Sequence, residues 1–198
     1  MSRGLADVYK RQARVEPNVL PVMPVCLVGS MVDGKPNFMT VAWFTRLSYK
    51  PPMVGAAINH RQYTRQGIVE TGTYSMCFPS RTLLELTDYC GLVSGRNVDK
   101  GALFNVFFGE LGTAPMIREC PLCLEVAVSR TVEVATNTFF IGEIKAAHAH
   151  ADVLSDGRPD MTKIDPLLLT MPQNGYFALG ERVGEAWSAG KKMKGEKA

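Results

Sequence analysis

Strict alternation between Leu122 and Val134 constrains this chain more than any other stretch. Leu122, Leu124, Val126 and Val128 fall on one face of an extended segment, the pattern of a strand with one side buried. Asn137 turns the chain into a second long run, Phe139 to Ala151. Nearer the N-terminus, the apolar run Leu20 to Met31 is followed by Asp33-Gly34, a pair that favours a two-residue hairpin turn, with Phe38 to Thr45 as the return strand. Pro51-Pro52 ends that unit. Met53 to Ile58, Tyr74 to Phe78 and Tyr176 to Leu179 are further runs of strand length.

Helical signals are fewer. Thr64 to Thr71 reads as a short helix with Ile68 and Val69 turned inward and Gly72 as its stop. Ser80 is placed to cap a second helix whose apolar face is Leu83, Leu84, Leu86 and Tyr89, ending near Gly91. A terminal stretch after Leu179 reads as amphipathic. Strands outnumber helices and do not alternate with them regularly, so the chain is expected to be mainly β, a barrel or sandwich with short appended helices.

The 198 residues suit one domain, read as residues 13–192, preceded by a non-native or disordered extension (1–12) and followed by a basic tail (193–198). No run of eighteen apolar residues occurs, and the N-terminus lacks the apolar core and cleavage site of a secretory signal. A soluble, cytoplasmic protein is expected. A net charge of +3 with scattered basic residues is too weak to imply nucleic acid. Five cysteines without framework spacing suggest reduced thiols.

No G-x-G-x-x-G, Walker or G-x-S-x-G pattern is present, which argues against a Rossmann protein, a P-loop protein and a serine hydrolase. Phosphate can still be held by hydroxyls, backbone amides and a few cations at a helix N-terminus. Thr40, Arg61, Thr64, Ser94, Arg96 and Lys100 are the candidates. The small residues Gly55, Ala56 and Ala57 would let a flat group approach the backbone, and the glycine-rich connection Leu92 to Gly112 is a functional-loop candidate. Cys120-Pro121-Leu122-Cys123 lacks a second ligand pair. In an extended segment its two Cα atoms would stand about 10 Å apart on opposite faces, so both cysteines are read as structural. His148 and His150 share a strand face without a third ligand beyond Asp152, and are read as an exposed strand end.

Several separated motifs, in order, resemble the flavin reductase-like family of FMN-binding split barrels, and within it the flavoredoxin branch. They are Asn37-Phe38-Met39-Thr40-Val41-Ala42-Trp43, Lys50 to Val54, Asn59-His60-Arg61-Gln62-Tyr63-Thr64 and Asp88 to Lys100, with Gly142-Glu143-Ile144 and Tyr176 to Glu181 as closing elements. The likeness spans roughly Pro17 to Lys192. It implies a six-stranded Greek-key barrel with short helices, a homodimer, and non-covalent FMN near the subunit interface. It further implies backbone amides of Thr40 to Trp43 at the polar edge of the flavin. Arg61, Thr64, Ser94 and Lys100 are implied around the phosphate, and Asn37, Met39, Val41, Asn59, His60, Gly95 and Arg96 complete the cofactor-binding set. NADH or NADPH is the implied electron donor, and free flavin, ferric iron or a redox partner protein the acceptor. The flavin carries the chemistry, so no catalytic side chain and no metal are expected. Trp43 has two readings, beside the flavin or in the barrel core.

Overall fold

The computed structural model describes residues 13–194, with the side chains of Lys192 and Lys194 left aside. The proposed extension 1–12 and the last four residues of the basic tail lie outside the described residues.

The strands are β1 (Leu20–Pro24), β2 (Cys26–Val32), β3 (Lys35–Val41), β4 (Phe44–Ser48), β5 (Met53–Asn59), β6 (Thr73–Phe78), the short β7 (Val106–Phe107) and β8 (Met116–Ile117), the long β9 (Leu122–Val134) and β10 (Asn137–Ala149), then β11 (Leu154–Ser155), β12 (Arg158–Pro159), β13 (Leu168–Met171) and β14 (Gly175–Phe177). Among the described residues three α-helices interrupt them: α1 (Tyr63–Thr71), α2 (Leu84–Leu92) and α3 (Met161–Ile164). None of the described helices is long and apolar enough to cross a membrane.

The main sheet has seven strands in the order β3-β2-β6-β9-β10-β5-β4, one more than the six expected. Strands β3 and β4 stand at opposite edges, yet only Ala42 and Trp43 separate them in sequence. A connection that short can join the two edges only if the sheet curls round on itself, which makes it a barrel with a seam. The Trp43 carbonyl accepts the Ala57 amide (2.8 Å) and fixes the connection across that seam.

Period-two alternation sorts the side chains into two cores. Cys26, Val28, Met39, Val41, Ile58, Tyr74, Met76, Val126 and Phe140 fill the barrel. The opposite faces of the same strands send Leu27, Phe38, Cys77 and Cys123 outward, where Cys90 of α2 and Phe104, Met116, Ile117 and Cys120 of the long connection cover them. Each fully buried aliphatic or aromatic side chain contributes about 1.5–3 kcal/mol. The Tyr74 hydroxyl is buried inside the barrel without a hydrogen-bond partner among the described residues, and burial pushes its ionisation well above the usual phenol range.

The hairpin at Asp33-Gly34 forms as expected: both residues have positive φ (50° and 75°), as a turn matching the strand twist requires, and Val32 pairs with Lys35. Gly72 ends α1 in the left-handed conformation (φ 67°). Other expectations change. The run Leu20 to Met31 is two strands, because the Val25 amide bonds to Leu167 and there the chain passes from a separate three-stranded sheet, β1-β13-β14, into the barrel. Phe38 to Thr45 likewise divides at the seam. Of the two α1 residues expected inward, Ile68 is buried, alongside Thr64 and Gly67, and Val69 faces solvent. Helix α2 buries Thr87 and Cys90, whereas Leu84 and Tyr89 are exposed, because the surface it covers lies under that face. Ser80 makes no capping bond to the backbone and meets the Thr82 hydroxyl instead (2.7 Å). Strand β13 occupies a stretch read as loop, and the described residues beyond Leu179 form irregular chain, turns and a short 3-10 helix (Lys191–Lys194) rather than a packed amphipathic element.

Candidate functional site

The barrel seam opens into a cleft of about 460 Å³. Its floor is the connection between the sheet edges: Met39, Thr40, Val41, Ala42 and Trp43 all line it, with Ala57 from the neighbouring strand β5. Met39 and Val41 turn their side chains into the barrel core, so the cleft meets mainly backbone and the small or polar alternates Thr40 and Ala42. As an edge strand, β3 leaves alternate backbone N–H groups unpaired by the sheet. Thr40 itself donates its hydroxyl to the Thr87 carbonyl and so ties the floor to α2.

The remaining walls are amides and apolar groups. Asn59, Gln62 and Asn137 stand on one side, and Leu169, Met171 and Asn174 come from the β13–β14 hairpin. Among the described residues, no acid, base or thiol lines the cleft. Trp43 is 50 % exposed, so it lies at the rim and the core reading of this residue fails.

Next to it, sharing Asn59, is a second opening with His60, Arg61, Ala135 and Thr136. Asn59 turns the chain by accepting the Arg61 amide (3.1 Å), which leaves the Arg61 side chain exposed. His60 pairs with Glu133 (2.7 Å). The Thr138 hydroxyl and His60 hold the Glu133 carboxyl below the usual carboxylate range.

A third cleft, about 340 Å³, takes Asn37, Tyr63, Gly95, Arg96 and Lys100, with Asp33, Lys35 and Asp99. Here the predicted residues bond to one another. Asn37 donates to the Thr64 hydroxyl (2.7 Å), and the Ser30 hydroxyl donates to the Thr64 carbonyl (2.8 Å), so Thr64 is a buried tie between α1 and the barrel. The Ser94 hydroxyl accepts the Arg96 amide (3.3 Å) and shapes the turn. Arg96 lies over the Tyr63 ring (4.9 Å) and donates to the Arg61 carbonyl (3.3 Å). A Cβ on Gly95 would stand 2.0 Å from Asn37 Oδ1, so only glycine lets this loop approach β3. Lys100 is 3 % exposed and donates to the Cys90 carbonyl (2.7 Å). Burial lowers its pKa, and burial raises the Cys90 thiol to about 11.

The predicted set therefore divides. Met39 to Trp43 and Asn59 share the seam cleft, His60 and Arg61 adjoin it, and Asn37, Thr64, Ser94, Gly95, Arg96 and Lys100 form a separate clamp. Ala57 is one of the small residues expected to admit a flat group, whereas sequence reasoning missed Val25, Gln62, Asn137, Leu169, Met171 and Asn174 as cleft residues. Gln62 and Asn137 flank segments already singled out, whereas the β13 residues carried no signal once that stretch was read as loop.

All five cysteines are buried free thiols. Cys120 and Cys123 do not face opposite sides: Cys120 precedes β9 in a turn, and both join the outer core, where the Cys123 thiol donates to the Ile117 carbonyl (3.4 Å). His150 donates to the Arg118 carbonyl (2.7 Å), and His148 meets the Phe107 ring edge-on. No group of three candidate metal ligands occurs among the described residues.

A comparison with family descriptions matches residues 22–178 to the flavin reductase like domain. The chain belongs to that family. Flavoredoxin from Methanosarcina acetivorans is similar in structure (TM-score 0.90, 48 % identity), the match covering 92 % of this chain and 99 % of that one. Flavoredoxin of Desulfovibrio vulgaris (Miyazaki F) superposes with a TM-score of 0.84 at 32 % identity, over 91 % of this chain and all of that one. Among curated proteins, an uncharacterised protein of Archaeoglobus fulgidus is 36 % identical over 129 residues, 64 % of this chain and 72 % of that protein. The fold is the mainly β split barrel, and the family associates the chain with flavin-linked electron transfer.

Proposed function

We propose that this chain is an FMN-dependent oxidoreductase that takes electrons from a reduced nicotinamide, NADH or NADPH, and passes them to a second acceptor such as free flavin, ferric iron or a partner protein. The observation that carries the reading is the seam cleft, whose floor of backbone, Ala42 and Ala57 accepts a flat ring and whose four amides have no charge to satisfy. Asn59, Gln62, Asn137 and Asn174 can each offer both a donor and an acceptor, the complement of an imide edge. FMN would supply reversible hydride and electron transfer at its ring. The protein's own contribution is to bind and orient, since nothing titratable among the described residues lines the cleft.

The exposed Arg61, one opening away, is the natural partner for the phosphate, with Ser94, Arg96 and Lys100 as the further candidates and Asn37, Thr64 and Gly95 holding their loop in place. The protein acts in the cytoplasm as a homodimer in this reading. A second reading, an electron carrier of the flavoredoxin kind reduced by another protein, is favoured by the 48 % identity to a flavoredoxin. A flavin-binding module without turnover is the third.

The test is the visible spectrum of the purified protein, followed by anaerobic titration with NADH and NADPH. Flavin absorbance that bleaches with either donor supports the oxidoreductase. A yellow protein that a nicotinamide leaves oxidised, but that dithionite bleaches, supports the carrier. A colourless protein that takes up no added FMN ends the proposal.

A further inference from the structure

The floor and one wall of the seam cleft belong to different sheets. The floor is the end of β3 and its connection to β4, in the barrel, whereas Leu169, Met171 and Asn174 come from the β13–β14 hairpin of the separate three-stranded sheet. That hairpin is thinly attached. Strand β14 is an edge strand, paired only with β13. The chain entering β13 is fixed by the Val25 amide on the Leu167 carbonyl (3.0 Å), and β13 itself pairs with β1. Beyond those backbone bonds, one side-chain hydrogen bond among the described residues leaves the hairpin: the Tyr176 hydroxyl donates to Asp88 Oδ1 on α2 (3.0 Å). The Thr170 hydroxyl bonds only within the hairpin, to Gln173 and Gly175.

Two ties to the cleft therefore meet on consecutive residues of α2. The Thr87 carbonyl accepts the hydroxyl of Thr40 in the cleft floor, and the Asp88 carboxylate accepts the hydroxyl of Tyr176 in the hairpin. Tyr176 stands directly opposite Leu169 across the hairpin, so the two side chains share a face, and Leu169 lines the cleft. A phenol donating to a carboxylate makes a short, charge-assisted bond. Burial, with Asp88 beside it, pushes the Tyr176 pKa up to about 12, so the hydroxyl keeps its proton at neutral pH.

We propose that Asp88 and Tyr176 are positioning residues of the seam cleft: their bond latches the hairpin wall to the helix that holds the floor, and so sets how firmly the cleft grips a flavin ring. This rests on the flavin reading above and adds two residues that do not line the cleft. Asp88 acts through its neighbour Thr87 and hence Thr40, and Tyr176 acts through Leu169. The two lie in the separate segments Asp88 to Lys100 and Tyr176 to Glu181, and the latch gives those segments a shared task.

The experiment compares the intact chain with Tyr176→Phe, Asp88→Ala and Asp88→Asn, each loaded with FMN, and reads the rate at which free-flavin fluorescence appears on dilution. Phenylalanine keeps the ring and removes only the donor, while asparagine keeps an oxygen that can accept the phenol. Release should be about tenfold faster in Tyr176→Phe and Asp88→Ala, the loss of one hydrogen bond to a charged group, and within about twofold of the intact chain in Asp88→Asn. Hydrogen exchange without flavin is the second measurement. Amides of Leu168 to Phe177 should exchange faster in the first two variants while those of β9 and β10 keep their protection, which separates an unlatched wall from a destabilised barrel. Hairpin exchange unchanged in Tyr176→Phe overturns the latch. Faster hairpin exchange with unchanged flavin release shows a wall that the ring does not use, and overturns the positioning role. Equal acceleration in Asp88→Asn and Asp88→Ala assigns the effect to the charge rather than the bond, and overturns it too. An intact chain that takes up no FMN ends the flavin reading and the grip on the ring with it, and that outcome is told apart by the intact chain alone.

Discussion

The seam cleft and the clamp around Asn37 are built on the same strand, β3, and differ in how their polar groups are spent. In the seam cleft the side chains of Gln62 and Asn174 make no hydrogen bond among the described residues, while Asn59 accepts the Arg61 amide and Asn137 donates to the Thr136 hydroxyl (3.3 Å), each keeping the other half of its amide free. In the clamp the polar groups are already partnered: Asn37 with Thr64, Tyr63 with Asp33 (2.6 Å), Arg96 with Tyr63 and the Arg61 carbonyl, Lys100 with the Cys90 carbonyl. Unspent groups in a shaped cleft are available to a ligand, and spent groups hold a loop. Residues carried over from a motif thus separate into those that line an open cleft and those that hold a loop in place.

Four substitutions test that division. Gly95→Val should have the largest effect, about 3 kcal/mol of lost stability, because its side chain would overlap Asn37 and Tyr63 at the tightest point of the clamp. Urea unfolding measures it, and a change well under 1 kcal/mol would show that the loop is not clamped.

Lys100→Met should cost about 2 kcal/mol, since the buried Cys90 carbonyl loses its donor. The same residue predicts a pH effect. Burial lowers the Lys100 pKa below its unfolded 10.5, so the unfolded chain holds this proton more tightly and stability attributable to Lys100 rises as pH climbs through the window just below 10.5. Lys100→Met should remove that rise. If it instead strips the flavin while stability holds, Lys100 belongs with the ligand-facing set.

Arg61→Ala should leave stability almost unchanged and weaken FMN binding by about tenfold, the loss of one charge-assisted contact of about 1.5 kcal/mol. Fluorescence titration reads it directly. Undiminished affinity would remove Arg61 from the phosphate site and pass that role to the clamp.

Trp43→Phe should be the mildest, with stability altered by less than about 0.5 kcal/mol because the indole is half in solvent. The bound flavin's spectrum or fluorescence quenching should shift. An unchanged chromophore together with a clear fall in the thermal midpoint would contradict the rim position.

Much of the architecture was legible because it is written locally. Asp33-Gly34 announces a turn that needs two positive φ values, Gly72 stops a helix, and the alternation from Leu122 marks a strand with two different faces. The Met39 to Trp43 and Asn59 motifs likewise led to the seam cleft. The break at Ala42-Trp43 was hidden, since Thr40, Val41, Trp43 and Phe44 all suit a strand. What divides them is barrel closure, which depends on strands distant in sequence. Leu168 to Met171 was hidden between prolines.

By itself, then, the sequence determined the strand content, the tight turns and the segments that supply the cleft, because φ preferences and period-two burial act over a few residues. Tertiary structure alone decided that the sheet has seven strands, that Thr87 and Cys90 rather than the leucines of α2 are buried, that Lys100 points at a carbonyl, and that β13 walls the cleft. Each of those outcomes depends on which distant surface a side chain meets, and a residue's type does not name its neighbour across the fold.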